Sequence, residues 1–232
     1  MENRGATEAT HEIACARVAA RFRPRPLRMY VASKLRSDPV FRTAFDLLRE
    51  TAEPLLDIGC GVGLLPFYLR ERGFVPPITG FDLDARKVAT ATKVAAQHDR
   101  GLTFSVRDLA ESQLQFRGSI AMLDVLHYLT VPRQATLLQE LAASIAPGGM
   151  LLLRDSPREQ SLRYWSTYAG EIFAQAVSWN LGLPLNFPER EAITAVFSPH
   201  EFTHEEIPTW GGTPFNNRLF VFRRRAAGAD AN

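Results

Sequence analysis

Short apolar runs alternate with longer amphipathic segments over most of the chain. The apolar runs predict buried strands at Leu55–Ile58, Ile78–Leu83, Leu102–Val106, Ile120–Asp124, Met150–Arg154, Phe202–Ile207 and Leu219–Arg223. Apolar residues at helical spacing predict helices at Leu64–Arg72, Asp84–His98 and Val131–Ala146. Strands that alternate with helices in this way predict an α/β fold in which helices cover both faces of a parallel sheet.

The segments around this alternating region predict smaller units. Residues 1–12 and 226–232 are predicted to be disordered tails. Residues 13–53 predict an N-terminal helical cap that is broken at Arg23–Pro26, and Asp38 followed by Pro39 offers a helix start. Residues 54–225 form the main predicted domain. Within it, residues from about 156 to 200 predict a helical lid, rich in aromatic side chains, between the fifth and sixth strands.

The composition is that of one globular domain. The 232 residues suffice for a single full core, and 27 Lys and Arg against 25 Asp and Glu leave a net charge of +2, so no overall field points to nucleic acid. Cys15 and Cys60 are expected to be free thiols, which suits a reducing cytoplasm. The start MENRGATEATHE predicts no signal peptide, and no apolar run reaches membrane-spanning length. We therefore expect a cytoplasmic protein without a membrane partner.

Three glycines and an acid join the first predicted strand to a helix, in the stretch LLDIGCGVGLL. The spacing of Gly59, Gly61 and Gly63 is neither the dinucleotide fingerprint nor a phosphate loop. Asp82 ends the next strand, 21 residues after Gly61, where an acid meets a ribose diol in open α/β sheets. Because Asp57 would repel a pyrophosphate but accept from an ammonium group, we expect a nucleoside cofactor that ends in a zwitterionic amino acid.

The motifs DIGCGVG, GFDLD, VRDL and APGG together resemble those of the class I S-adenosylmethionine-dependent methyltransferases. The resemblance covers residues 54 to 154 and implies a Rossmann-like, seven-stranded, mostly parallel sheet. It also implies S-adenosylmethionine as cofactor, S-adenosylhomocysteine as product and no metal. One departure is Arg117-Gly118-Ser119, which stands where many relatives begin the fourth strand with an acid after an aromatic residue.

The same resemblance implies the residues that contact the cofactor. They are Tyr30, Asp57, Gly59, Gly61, Gly63, Asp82, Leu83, Asp108, Leu109 and Asp124. Asp57 and Asp124 would face the methionine part, and Asp82 would bind the ribose hydroxyls. Leu83, Asp108 and the backbone of Leu109 would surround the adenine, while Tyr30 would close over the site from the N-terminal segment.

Methyl transfer needs a base only where the acceptor must lose a proton. His127, in DVLHYL, is the candidate base because its ordinary pKa of roughly 6.5 suits that task, and Tyr128 is a candidate to orient a substrate oxygen. The alternative is that His127 caps a helix start and Tyr128 packs in the core. Both interpretations stay open. The candidate substrate residues are Arg154, Asp155, Tyr168, Trp179, Asn180, Trp210, Phe215 and Asn217, which would suit an aromatic or acyl acceptor.

A narrower resemblance concerns three further stretches. KLRSDPVF, DVLHYL and GGTPFNNRLFVFRR resemble methyltransferases associated with bacterial aryl-polyene and xanthomonadin-type pigment synthesis. This implies a hydroxyaryl acceptor on an acyl carrier protein, which the basic segments would dock. The alternative for each arginine is a solvated surface.

Three functions compete at this point. The first is methyl transfer to a small-molecule acceptor. The second is methylation of nucleic acid, against which the sequence has no Asp/Asn-Pro-Pro-Tyr motif and no cysteine after the fourth strand. The third is a non-catalytic, cofactor-binding scaffold protein, against which the glycines and both nucleoside-binding acids are intact. The small-molecule methyltransferase is the favoured hypothesis.

Overall fold

A computed structural model describes residues 2–98, 101–110, 113–159, 162–167, 185–212 and 214–226. Its strands form one seven-stranded sheet in the order β3-β2-β1-β4-β5-β7-β6. The strands are β1 (Leu55–Ile58), β2 (Ile78–Asp82), β3 (Leu102–Val106), β4 (Ser119–Leu123), β5 (Met150–Asp155), β6 (Phe202–Pro208) and β7 (Arg218–Arg224). The first five strands are parallel, and β7 lies antiparallel between β5 and β6. The predicted Rossmann-like, mostly parallel sheet is confirmed.

Helices precede the sheet and connect its strands. The described helices are α1 (Glu2–Ala20), α2 (Arg25–Ser37), α3 (Val40–Leu48), α4 (Leu64–Glu71), α5 (Ala85–His98), α6 (Val131–Ser144), the helical residues 162–167 (α7) and α8 (Arg190–Thr194). A short 3₁₀ helix, Leu126–Tyr128, follows β4. Among the described residues, no helix combines the length and the apolar character needed to cross a membrane.

Two apolar clusters pack on opposite faces of the sheet. One contains residues of α1 to α5 together with Leu55, and the other contains residues of α6 and α8 together with Leu56. Adjacent residues of a strand point to opposite faces, so β1 contributes to both clusters and is buried throughout. Burial on both faces explains the nearly continuous apolar runs of the central strands, and it places their carboxyl ends together at one edge.

The N-terminal region differs from the prediction. Residues 2–12 belong to α1, so the predicted disordered tail is wrong there. His11 is 5% exposed, and its Nδ1 lies 2.7 Å from the Tyr68 hydroxyl on α4. This contact ties the middle of α1 to the domain, so the cap begins before residue 13. The predicted tail at residues 227–232 lies outside the described residues, as do residues 160–161 and 168–184 of the predicted lid.

Two proline boundaries shape the rest of the cap. The break at Arg23–Pro26 separates α1 from α2, as predicted. Asp38 ends α2 in an extended conformation (φ −97°, ψ 111°), which the following Pro39 favours. Its carboxylate accepts a hydrogen bond from the Val40 amide at 3.1 Å, but α3 begins at Val40 with Pro39 as its N-cap, one residue later than predicted.

Candidate functional site

A cavity of about 670 Å³ opens at the carboxyl ends of the parallel strands. Its volume lies within the range of about 300–1,000 Å³ that is usual for small-molecule sites. The predicted site residues on its wall are Tyr30, Asp57, Gly59, Gly61, Asp82, Leu83, Asp108, Leu109, Asp124, Tyr128 and Arg154. Leu27, Lys34 and Phe41 of the cap line it as well. The structure therefore places most of the predicted cofactor residues around one cavity. They come from the ends of four strands and from the cap.

The glycine turn requires its glycines at two points. Gly59 has φ 73°, and a Cβ there would lie 2.2 Å from Val125 Cγ2. Gly61 has φ 54°, and nothing lies within 4 Å of its would-be Cβ, so a ligand can approach the backbone closely. Gly63 is the N-cap of α4 and is not among the lining residues, although its neighbours Val62 and Leu64 are, so its predicted contact with the cofactor stays a prediction.

Asp82 holds the turn in place. Its Oδ2 accepts a hydrogen bond from the Gly61 amide at 2.8 Å, and its Oδ1 accepts from the Asp84 amide at 2.8 Å. An ionised carboxylate has about four acceptor positions, so two remain for other donors. Because Asp82 lines the cavity, this remaining capacity matches a pair of ribose hydroxyls.

Asp57 is a buried acid on the cavity wall. It is 3% exposed, and burial, together with the charge of Asp82, raises its pKa to about 8. Its carboxyl is therefore largely protonated at neutral pH in the protein alone. A cation placed beside it would favour the ionised form, so the site is suited to an ammonium group.

The loop after β3 is fixed from outside the cavity. Asp108 accepts from the Ala110 amide at 2.8 Å, and the Leu109 carbonyl accepts from Arg133 Nε at 2.7 Å. Arg133 Nη1 also contacts Glu140 Oε1 at 2.7 Å, and Glu140 Oε2 accepts from the Leu114 amide at 3.3 Å. Arg133 and Glu140 were not predicted as site residues, because their spacing on α6 does not show that they reach this loop.

A buried ion-pair cluster joins the cap to β4 and β5. Arg154 Nη1 contacts Asp38 Oδ1 and Oδ2 at 2.6 and 2.7 Å, and Arg154 Nε contacts Asp124 Oδ1 at 2.9 Å. Arg154 Nη2 also pairs with Asp124 Oδ2, and Lys34 Nζ lies 2.9 Å from Asp38 Oδ2. Burial opposes the ionisation of Asp38, but Arg154 and Lys34 hold its pKa at about 2. We call Lys34, Asp38, Asp124 and Arg154 the cap–strand cluster.

This cluster gives Arg154 a structural context and adds two residues to the site. Arg154 lines the cavity, but it is 1% exposed and pairs with two carboxylates, and its predicted substrate contact stays a prediction. Lys34 and Asp38 were missed as site residues. Their signal was weak, since Asp38 lies 116 positions from Arg154 and looked only like a helix cap.

His127 and Asp155 form a second buried pair beside the cavity. His127 Nδ1 lies 3.0 and 3.1 Å from the Asp155 carboxylate oxygens, and Asp155 Oδ2 accepts from the His127 amide at 3.2 Å. Asp155 Oδ1 also accepts from the Ser156 amide at 2.8 Å. His127 is 3% exposed and Asp155 is 0% exposed, and neither lines the cavity. Asp155 is therefore placed under His127 and not on the substrate wall, which corrects its predicted role.

Neighbouring aromatic rings cover His127. Phe187, from the described end of the lid, stacks on its ring at 5.0 Å, and the Asn186 amide donates to the His127 carbonyl at 2.7 Å. The Tyr128 ring lies 4.2 Å from His127 and lines the cavity, so Tyr128 connects the buried pair with the open site. His127 does not cap α6, whose N-cap is Thr130, so that alternative is wrong.

Three further candidate substrate residues, Trp210, Phe215 and Asn217, are not among the described residues that line the cavity. The guanidinium groups of Arg163 and Arg218 lie 4.6 and 5.4 Å from the ring centre of Trp210. The predicted substrate contacts of these three residues stay predictions. The long β6–β7 connection folds against the domain's own arginines. Tyr168, Trp179 and Asn180 lie outside the described residues.

The strand order, the glycine turn and the acid after β2 define the Rossmann-like fold of class I methyltransferases. Residues 22–205 match the family model described as a methyltransferase domain. The chain therefore belongs to the methyltransferase domain family, as its motifs predicted.

Individual relatives agree with this family. A ubiquinone biosynthesis O-methyltransferase from Caulobacter sp. (strain K31) is 30% identical over 132 residues, which are 55% of this chain and 48% of that protein. A ribosomal protein L11 methyltransferase from Burkholderia vietnamiensis (strain G4 / LMG 22486) is 26% identical over 136 residues, 57% of this chain and 43% of that protein. The chain thus spans about half the length of these relatives.

A solved structure shows the same fold over most of both chains. Magnesium protoporphyrin IX methyltransferase from Synechocystis PCC 6803, with bound SAH, has a TM-score of 0.61 at 17% identity. The match covers 88% of this chain and 89% of that one. The common fold therefore extends well beyond the motif region of residues 54 to 154.

Proposed function

We propose that this chain transfers a methyl group from S-adenosylmethionine to a small-molecule acceptor. The observation that carries the proposal is the pairing of Asp82 with Gly61, which places a carboxylate beside an open glycine turn at the ends of β1 and β2. The match to the methyltransferase domain family supports the same reaction. A nucleoside that carries an amino acid fits this arrangement of an acid, a bare backbone and a second, buried acid.

The cavity residues fit this cofactor group by group. Asp82 would bind the ribose hydroxyls, and Asp57 and Asp124 would face the ammonium of the methionine part. Leu83, Asp108 and Leu109 would surround the adenine. When bound, S-adenosylmethionine supplies a methyl group that its sulfonium already activates. The neighbour magnesium protoporphyrin IX methyltransferase, crystallised with SAM and with SAH, supports this choice of cofactor.

The protein's contribution is alignment of the acceptor and exclusion of water. The cap and the segment after β4 give the cavity an aromatic and aliphatic wall, formed by Leu27, Tyr30, Phe41, Tyr128 and Leu129. Such a wall suits an aromatic or acyl acceptor. The similarity to a ubiquinone biosynthesis O-methyltransferase favours an oxygen atom as the methyl acceptor.

For a hydroxyl acceptor we propose His127 as the base. Asp155 accepts at Nδ1, so the neutral ring carries its proton there and Nε2 is the basic nitrogen. Asp155 would also stabilise the imidazolium that forms when the proton is taken up. Because His127 lies beside Tyr128 and under Phe187, proton transfer requires the lid segment to leave this face of the site.

The narrower part of the proposal concerns the acceptor's source. We propose a hydroxyaryl acid of the kind used in aryl-polyene or xanthomonadin-type pigment synthesis, presented on an acyl carrier protein. Arg23, just before α2, and Arg25 and Arg28, on α2, are exposed, which supports the docking of an acidic carrier. The test is methylation of a free hydroxyaryl acid and of its carrier-bound form at low and high salt. Equal rates for both forms at all salt concentrations would remove the carrier from the proposal.

The decisive experiment has two parts. Calorimetric titration should show micromolar binding of S-adenosylmethionine and S-adenosylhomocysteine and none of NAD. Label from the methyl group of S-adenosylmethionine should then appear in one member of a panel of hydroxyaryl acids, acyl acids, RNA and ribosomal protein. Absence of cofactor binding by the folded chain would overturn the proposal, and label in RNA or protein alone would overturn the small-molecule acceptor.

A further inference from the structure

The cap–strand cluster buries four charges between the cap and the sheet. The side chain of Arg154 is 2% exposed and that of Asp38 is 8% exposed, whereas Asp124 and Lys34 are 32% and 35% exposed towards the cavity that they line. Two carboxylates balance two cations, so the cluster is neutral as a whole. A buried charge is tolerated only where it is paired, and the guanidinium of Arg154 is paired along two of its edges.

The cluster also explains an unusual backbone conformation. Among the residues that the structure describes, Asp124 is the non-glycine residue with a positive φ, at 59°. Aspartate tolerates this conformation better than most residues, but it is still disfavoured. Arg154 grips the Asp124 carboxylate with Nε and Nη2, and the Arg154 carbonyl accepts from the Asp124 amide at 2.9 Å. One residue of β5 therefore holds both the backbone and the carboxylate of Asp124.

The opposite side of the same guanidinium reaches the cap. Arg154 Nη1 contacts both oxygens of Asp38, which also accepts from the Val40 amide at the start of α3 and from Lys34 on α2. Helix α2 also carries Tyr30, and both Lys34 and Tyr30 form cavity wall. A change in the position of Arg154 therefore moves Asp124 and the cap wall together.

We propose that Arg154 is a positioning residue for the amino-acid end of the cofactor, holding Asp124 towards it and, through Asp38, keeping the cap closed over it. This inference rests on the proposed cofactor. The proposed role concerns only one end of the cofactor. The nucleoside end would be held by Asp82 and by the loop after β3, neither of which touches Arg154. Loss of the contacts that Arg154 makes with Asp124 and Asp38 should therefore weaken binding of the amino-acid end and leave binding of the nucleoside end intact.

Two ligands separate these ends. S-adenosylhomocysteine has the amino acid, whereas 5′-methylthioadenosine has the same nucleoside and thioether without it. Arg154→Lys retains the charge but loses the planar fork that grips two carboxylates. We expect the affinity of this variant for S-adenosylhomocysteine to fall about tenfold or more. Its affinity for 5′-methylthioadenosine should stay within about twofold of the wild-type value.

A second variant tests the cap. Asp38→Asn keeps an acceptor for the Val40 amide but removes the charge that faces Arg154 and Lys34. In the wild type, S-adenosylhomocysteine should slow amide hydrogen exchange in α2 and α3, and 5′-methylthioadenosine should do so much less. In Asp38→Asn this difference between the ligands should shrink. Arg190→Lys is the matched control, since Arg190 pairs with Glu206 at 2.7 Å away from the cavity.

The outcomes are distinct. If Arg154→Lys loses affinity for both ligands equally, Arg154 has a role in the fold alone and the proposal is overturned. If it loses affinity for neither ligand, Asp124 needs no support from Arg154, which also overturns the proposal. If Arg154→Lys does not fold, the test is the comparison of amide exchange between the wild type and Asp38→Asn. If the two ligands protect α2 and α3 of the wild type equally, the proposal is overturned. Wild-type protein that binds neither ligand would overturn the proposed function together with this inference.

Discussion

The carboxylate of Asp82 accepts a hydrogen bond from the amide of Gly61 at 2.8 Å, so the end of β2 holds the turn that leaves β1. The register places Ile58 of β1 beside Phe81 of β2, and the Phe81 carbonyl accepts from the amides of Gly59 and Cys60. The acid that would bind the ribose therefore also shapes the backbone on which the cofactor would lie. A variant of Asp82 that has no acceptor atom would therefore combine both effects.

Asp82→Asn should weaken S-adenosylhomocysteine binding by about 10- to 100-fold, since hydrogen bonds to a charged group contribute roughly 1.5–3 kcal/mol. The amide can still accept from Gly61, so the turn should survive and the loss should report mainly on the ribose. Calorimetry gives the affinity. Asp46→Asn, an exposed position on α3, is the control. Unchanged affinity in Asp82→Asn would mean that the ribose lies elsewhere.

Asp57 should make both stability and binding depend on pH. Its pKa is about 8 in the folded protein and about 3.9 when unfolded, so between these values the folded state holds a proton that the unfolded state lacks. Titration of Asp57 therefore lowers the free energy of unfolding of the ligand-free protein as the pH rises from about 4 to 8. Thermal unfolding of the wild type should show this fall, and Asp57→Asn should show less of it.

The same protonation has a consequence for the ligand. The ammonium of S-adenosylhomocysteine favours ionised Asp57, so binding at pH 7 should release a proton from this site. Calorimetric titration in two buffers of different ionisation enthalpy measures that release. Binding without proton release in the wild type would place the ammonium away from Asp57.

Asp155→Asn should lower turnover of a hydroxyl acceptor by about 10²-fold or more, because the asparagine no longer stabilises the imidazolium of His127. Cofactor affinity should hardly change, since neither residue lines the cavity. His127→Gln should lower turnover to a similar degree, and the double variant should lose little more, as expected for two groups that act as one unit.

The pH profile distinguishes this role from a structural one. Loss of Asp155 should displace the acidic limb of the kcat profile, which a merely less stable protein would not do. His204→Gln is the matched control, because His204 of β6 stacks on Phe222 of β7 at 4.8 Å and does not line the cavity. Wild-type turnover in both His127→Gln and Asp155→Asn would assign the buried pair to folding.

Arg133→Met should weaken cofactor binding about fivefold, the effect of losing roughly 1 kcal/mol of loop support. The reason is indirect. Arg133 holds the Leu109 carbonyl from α6, and Leu109 and Asp108 form the adenine end of the cavity. The loss should be equal for S-adenosylhomocysteine and 5′-methylthioadenosine, in contrast to Arg154→Lys. Arg49→Met at the exposed end of α3 is the control, and a selective loss of one ligand would contradict this role.

Local patterns predicted the motif region well. The β3 prediction matches Leu102–Val106 at both ends, and β1 matches Leu55–Ile58, because buried parallel strands need continuous apolar runs that turns interrupt. The ribose-binding role of Asp82 was inferred from its position at the end of a predicted strand, 21 residues after Gly61. Asp124 was assigned to the end of the fourth strand, but its positive φ takes it out of β4, and no single-residue pattern signals that.

Partnerships between distant residues were not predictable in this way. Arg154 was placed correctly in β5, whereas Asp155, the last residue of that strand, was left outside it, and both were assigned to a substrate wall. Their partners are Asp38 and His127, which lie 116 and 28 positions away. Sequence alternation fixes which residues of a strand share a face, but the identity of the group opposite depends on the packing of other elements. The prediction of a disordered tail was wrong at residues 2–12 for the same reason, because the contact between His11 and Tyr68 anchors α1 to a distant part of the chain.

Arg154 and Asp155 are adjacent on one strand and point to opposite sides, one towards Asp124 and the cap and the other towards His127. A single peptide unit of β5 is thus the border between the part of the molecule that would recognise the donor and the part that would activate the acceptor. The lid begins just beyond it. Evolution can exchange or lengthen the lid without disturbing donor recognition, whereas a one-residue insertion inside β5 would disrupt both at once.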